Sequence, residues 1–214
     1  MKFGRGGSKS TVGSIVELVV IVAIALGLAL LIQALIIKPY RIPSGSMEPT
    51  LKVGQRVLVN RIGMDFGDPH VGEIVVFHPP KGAEEQQCGE PRHSPTAACD
   101  APDPEKDSGT NFIKRIVAAP GDEIYIREGH VFRKASGSSS FVREKDSYIR
   151  PCGATSSAVC NLTTAIKIPK GHWFMMGDNR GDSDDSRFWG PVPTGWIIGG
   201  AVFTYWPIDR IGFL

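Results

Sequence analysis

The chain has 214 residues and a formal net charge of +2, enough for a membrane anchor and one domain with a sizeable core. That charge is too small and too scattered to argue for a nucleic-acid partner. Four cysteines, none in a C-x-x-C pair, exclude the common zinc and thioredoxin-like patterns.

Residues 1–14 are rich in Gly and Ser and carry Lys2, Arg5 and Lys9 with no acid. From Leu18 to Ile37 the only strongly polar residue is Gln33. As a helix this run spans about 30 Å, the thickness of a hydrocarbon core. A cleavable leader has a shorter apolar region and a small-residue cleavage site, and no such site follows here. The pattern predicts a tail over 1–14, a retained single-pass anchor over 15–37 and a domain over 38–214. Lys38 and Arg41 flank the far end of the run, so charge alone leaves the orientation open. The cysteines fall as two local pairs, Cys88 with Cys99 and Cys152 with Cys160. Of three possible connectivities, local pairing closes short loops and is the simplest. Disulfides persist in oxidising compartments, which predicts a cytoplasmic N-terminus and an extracytoplasmic domain.

Just past the anchor lies Pro43-Ser44-Gly45-Ser46-Met47-Glu48-Pro49. Two prolines stiffen the ends of the stretch and a glycine lets it turn between them. Such a segment can hold one hydroxyl immobile, and Ser46 is the candidate nucleophile. The plain alternative is a linker loop. Ser46 is eight residues beyond Lys38, at most roughly 30 Å of extended chain, so any site there works near the membrane surface.

Short apolar runs with strand character follow: Arg56–Asn60, Glu73–His78, Phe112–Ala118, Glu123–Arg127, His130–Arg133, His172–Met176, Gly199–Tyr205 and Arg210–Phe213. Beyond the anchor no long stretch has helical periodicity, so the domain is predicted to be mainly β. Two polar segments interrupt the rhythm, about 79–110 with the first cysteine pair and about 134–164 with the second. Both read as surface excursions whose disulfides serve stability rather than chemistry.

A serine hydroxyl needs a base. His70, His78, His93, His130 and His172 have no triad context. In Phe112-Ile113-Lys114-Arg115-Ile116, a strand puts Phe112, Lys114 and Ile116 on one face. Apolar neighbours desolvate an amine and lower its pKa, so Lys114 is the candidate base. The alternative is a lysine whose ammonium reaches water or an acid. A third cluster runs from Gly177 through Arg187 to Trp189. It fails the EF-hand pattern, since Ser183 stands where glycine is required and Trp189 where glutamate is. No metal site or cofactor is expected. Gly181-Asp182-Ser183 is close to the serine site of trypsin-like enzymes, but Asp184 and Asp185 follow where glycines are needed.

Taken together, Pro43–Leu51, Lys114–Asp122 and Gly177–Trp189 resemble the bacterial type I signal peptidases, Ser/Lys proteases of the membrane. Val71–Phe77 is similar to a fourth, less specific block. The resemblance implies Ser46 as nucleophile and Lys114 as general base, with an oxyanion hole from the Ser44 hydroxyl and the Ser46 backbone N–H. It implies that Ser183 orients the amine, that Asp185 and Arg187 brace the site, and that Tyr40, Ile42, Val76 and Ile113 line shallow apolar pockets for small side chains. It further implies a signal-peptidase/LexA-like β-domain and signal-peptide-bearing preproteins as substrates. The expected location is the bacterial inner membrane with the catalytic domain on the periplasmic side. The protein is expected to work as a monomer. Competing readings are a LexA-type self-cleaving regulator, disfavoured by the anchor and the lack of a DNA-binding module, and a non-catalytic anchored binding domain.

Overall fold

A computed structural model of the chain describes residues 11–61, 67, 69–105, 109–153 and 158–214. The basic tail with Lys2, Arg5 and Lys9 lies outside the described residues, as do parts of both excursions. Helix α1 covers Thr11–Leu35, starting and ending a few residues before the predicted 15–37. Its residues Gly13–Leu31 have a mean hydropathy of 2.8 and none is buried, so the helix is long and apolar enough to cross a membrane. It has no polar face to turn toward water.

One residue later the chain enters β1, Ile37–Arg41. Then come β2 (Arg56–Asn60), β3 (Ile74–Phe77), β4 (Phe112–Ala118), β5 (Glu123–Arg127) and β6 (His130–Lys134). They are followed by β7 (Val142–Arg143), β8 (Ile166–Lys167), β9 (His172–Met176), a one-turn helix α2 (Ser186–Trp189), β10 (Val192–Pro193), β11 (Ile197–Trp206) and β12 (Gly212–Phe213). The main sheet has the order β1-β2-β11-β3-β4-β9-β10, with β12 added to β11, and its pairs are antiparallel. A second sheet has the order β7-β6-β5-β8. The hairpin β5–β6 turns at Glu128 and Gly129, both at positive φ, which matches the right-handed twist of the strands it joins.

Three apolar clusters hold these sheets. One lies under β1–β3 and includes Ile42, Met47, Leu51, Val57, Val59 and Val76. A second gathers Phe77, Ile116, Trp173 and Trp189. The third joins Ile124, Ile126 and Val131 of the second sheet to Phe174 and Met176 of β9.

The cysteines form Cys88–Cys99 and Cys152–Cys160. The excursions are not confined to the surface, and that expectation is corrected. Ala97 and Ala98 of the first, and Val159 and Leu162 of the second, are buried in the third cluster. Their small or isolated apolar side chains sit in polar sequence, so no periodicity marked them.

Candidate functional site

Ser46 sits in a tight turn, Gly45–Met47, closed by the Glu48 N–H donating to the Gly45 carbonyl at 3.0 Å. Met47 and Leu51 are fully buried and nail the turn to the first cluster. The hydroxyl of Ser46, next to Met47, therefore has little freedom to move. Lys114 lies in β4, paired across to Val75 of β3, and β4 is flanked on its other side by β9. It is only 5 % exposed, and its Nζ donates to Ser46 Oγ at 2.6 Å. The Phe112 ring lies on the same strand face, 5.7 Å from Nζ. Desolvation pushes the Lys114 amine down to about 8, against the upward pull of Asp185 and Asp184.

The loop after β9 closes the site from the far side. The Asn179 N–H donates to the Ser46 carbonyl at 3.0 Å, and its side-chain amide donates to the Gly45 carbonyl at 3.1 Å. Asp178, fully buried, accepts from the Arg115 guanidinium at 2.9 and 2.7 Å and from the Thr50 hydroxyl at 2.6 Å. One carboxylate thus ties the serine turn to the residue after Lys114. Neither Asp178 nor Asn179 was assigned a role from sequence. Their signal was the run of short polar side chains, which says that a loop is built but not what it grips. Asp185 and Arg187 form a fully buried pair at 2.7 and 2.8 Å, and Asp185 also accepts the Gly177 N–H at 3.1 Å. Burial by itself would raise the Asp185 carboxyl. The Arg187 guanidinium, the Lys114 amine and the Gly177 N–H outweigh it and hold the carboxyl below its ordinary range.

The structure brings Ser44, Ser46, Ile113 and Lys114 together along one groove of about 380 Å³. The Ser44 hydroxyl donates to Ser46 Oγ at 3.3 Å. Ile42 and Val76 lie buried in the first cluster beneath the groove, with Tyr40 and Ile113 packed against it. The Ser183 hydroxyl is buried with no hydrogen-bond partner, so the bond to the Lys114 amine that the resemblance implies is not formed here. Gly177 is fixed by close approach: a Cβ there would lie 2.2 Å from Ser183 Oγ and 2.4 Å from the Ser46 carbonyl oxygen. Gly177→Ala is therefore expected to displace the serine turn and lower kcat on the order of 100-fold. Steady-state kinetics beside wild type check this.

A hydroxyl bonded to a dry amine, on a mainly β scaffold, is the arrangement of a hydrolase working through a Ser/Lys pair. The family described as "Signal peptidase, peptidase S26" matches residues 15–206, and the chain belongs to it. A probable signal peptidase I-1 from Synechocystis is 35 % identical over 199 residues, covering 92 % of this chain and 86 % of the relative. A signal peptidase I from Leptolyngbya laminosa is 30 % identical over 194 residues, covering 90 % and 80 %. The chloroplast thylakoidal processing peptidase 1 of Arabidopsis thaliana is 33 % identical over 187 residues, covering 87 % of this chain and 47 % of that protein.

Proposed function

We propose that this chain is a membrane-anchored serine endopeptidase that removes signal peptides from exported preproteins, cutting after small residues. The observation that carries the reading is the 2.6 Å bond between Ser46 Oγ and a buried Lys114 amine. The neutral amine takes the Ser46 proton as Oγ attacks the scissile carbonyl carbon. The oxyanion that forms is held by the Ser44 hydroxyl and the Ser46 backbone N–H, donors each worth about 3–4 kcal/mol when well aimed. The C–N bond then breaks and the Lys114 ammonium returns the proton to the departing amine. A water, deprotonated by the same lysine, attacks the acyl-enzyme ester, freeing the signal peptide and restoring Ser46. Ser183, with its free buried hydroxyl, is the residue that orients the amine when substrate closes the groove, and the Asp185–Arg187 pair braces it.

The substrate segment lies extended between 43–45 and 110–113, its backbone fixing the register and shallow apolar subsites over Ile42, Val76 and Ile113 admitting only small side chains. Among the described residues, helix α1 is the one membrane span. The N-terminal tail stays in the cytoplasm, and residues 38–214 form the catalytic domain on the periplasmic face of a bacterial inner membrane. The enzyme acts as a monomer on preproteins delivered in the same bilayer.

The test is the pH dependence of preprotein cleavage. Because the active base is neutral and its pKa lies at about 8, kcat/KM is expected to rise about tenfold per unit below that pH and level off above it. A profile flat from pH 6 to 10 would refute an amine base.

A further inference from the structure

The first excursion does more than decorate the fold, because three hydrogen bonds join it to two residues of the catalytic loop. The Cys99 N–H donates to the Arg187 carbonyl at 3.2 Å, and the Arg92 guanidinium donates to the same oxygen at 3.2 Å. Beside these, the Gln86 amide donates to Asp184 Oδ1. The excursion's far end then forms one side of the groove. Thr110 and Asn111 line it together with Pro43–Ser46, and Asp182 and Asp184 belong to the same lining. The Thr110 hydroxyl donates to Glu84 at 3.0 Å, which ties that wall back to the segment carrying Gln86.

Gln86 is held in an unusual backbone state. Among the described residues only Gln86 and Glu128 are non-glycines at positive φ. Glu128 is accounted for by the β5–β6 hairpin. At Gln86, φ is 57° and the side chain is delivered to Asp184. That φ is the left-handed close of a local turn, in which the Gln87 N–H donates to the Gly82 carbonyl at 3.0 Å and the Gln86 N–H to the Ala83 carbonyl at 3.3 Å, and the turn leaves the Gln86 amide on Asp184.

We propose that the disulfide-stapled excursion is a working wall of the cleavage groove, and that Gln86, by clasping Asp184, is a positioning residue that sets how tightly the preprotein segment is held before the cut. The inference rests on the reading of Ser46 and Lys114 as the reacting pair. Cys88–Cys99 is the hinge pin of the wall, since it joins the strand of chain bearing Gln86 to the residue docked on Arg187.

The experiment measures preprotein cleavage by the full chain in detergent at pH 9.5, above the acidic limb. Gln86→Ala is expected to raise KM about three- to tenfold with kcat within about twofold, the loss of one hydrogen bond to a charged acceptor. Gln86→Glu sets carboxylate against carboxylate and is expected to raise KM further. The reversed pair Q86E/D184N, with the amide now on the loop, is expected to restore it. In a C88S/C99S background that still melts cooperatively, Q86A is expected to cost nothing more, because the wall is already released. Unchanged kinetics in Q86A while Ser46→Ala is inactive would overturn the clasp and leave the Ser/Lys reading standing. A fall in kcat with unchanged KM would also overturn it, by showing that Gln86 acts on the base rather than on the substrate. Activity surviving in Ser46→Ala would instead refute the functional reading itself.

Discussion

Ser46→Ala and Lys114→Met are each expected to lower kcat for preprotein cleavage by about 10⁴- to 10⁶-fold, since removing one member of a nucleophile–base unit removes nearly all of its work. The lysine variant has a second signature that separates catalysis from folding. An amine at about 8 in the folded chain and near 10.4 unfolded places a cost of about 3 kcal/mol on the native state. The sign follows from proton counts. Between those two values the unfolded chain binds more protons, so stability rises with pH across the window from about 8 to about 10.4. Below pH 8 the full cost is present. Lys114→Met, which replaces the amine with an apolar chain of similar length, is therefore expected to be inactive yet more stable than wild type at pH 7. Urea midpoints at pH 7 and 10 check this: the stabilisation is expected to be larger at pH 7. Equal or lower stability at both values would show that the amine is not held dry.

The second large effect falls on stability. Arg187→Met leaves Asp185 buried with only backbone N–H donors, from Gly177 and from position 187 itself. Stranding one partner of a buried ion pair costs about 3–5 kcal/mol. A native domain has only about 5–15 kcal/mol in hand. The unfolding midpoint is expected to drop accordingly. Adding Asp185→Asn is expected to recover part of the loss, because the stranded charge is then gone. Were the single variant as stable as wild type, the pair would not be the brace that its geometry describes.

Much of this architecture was legible before any coordinates. Strands β4, β5 and β9 begin and end where their apolar runs meet Pro, Gly and Asp, because turn residues and a half-buried face both leave local marks. β1 left none: Lys38 and Pro39 break the apolar pattern, and the strand exists because β2 lies beside it with Pro39 opposite Leu58. The two-residue strands β7, β8 and β10 likewise owe their state to partners elsewhere in the chain. Of the site, Ser46 stood out by its bracketing prolines and Lys114 by its apolar strand neighbours. That they meet across 68 residues was implied by the resemblance and not by either segment. The grips of Asn179 on the serine turn and of Asp178 on Thr50 and Arg115 were hidden for the same reason. A hydrogen bond to a distant backbone carbonyl is written in the fold and nowhere in the local sequence.

The junction between α1 and β1 has a mechanical meaning. Ile36 alone separates them, and its carbonyl accepts the Arg61 N–H at 2.9 Å, so even that residue is stitched to the far end of β2. There is no slack chain to absorb a swing of the helix. In the membrane-anchored enzyme proposed above, helix and sheet edge then act as one lever, and Ser46 is carried at a set altitude over the bilayer instead of on a loose tether.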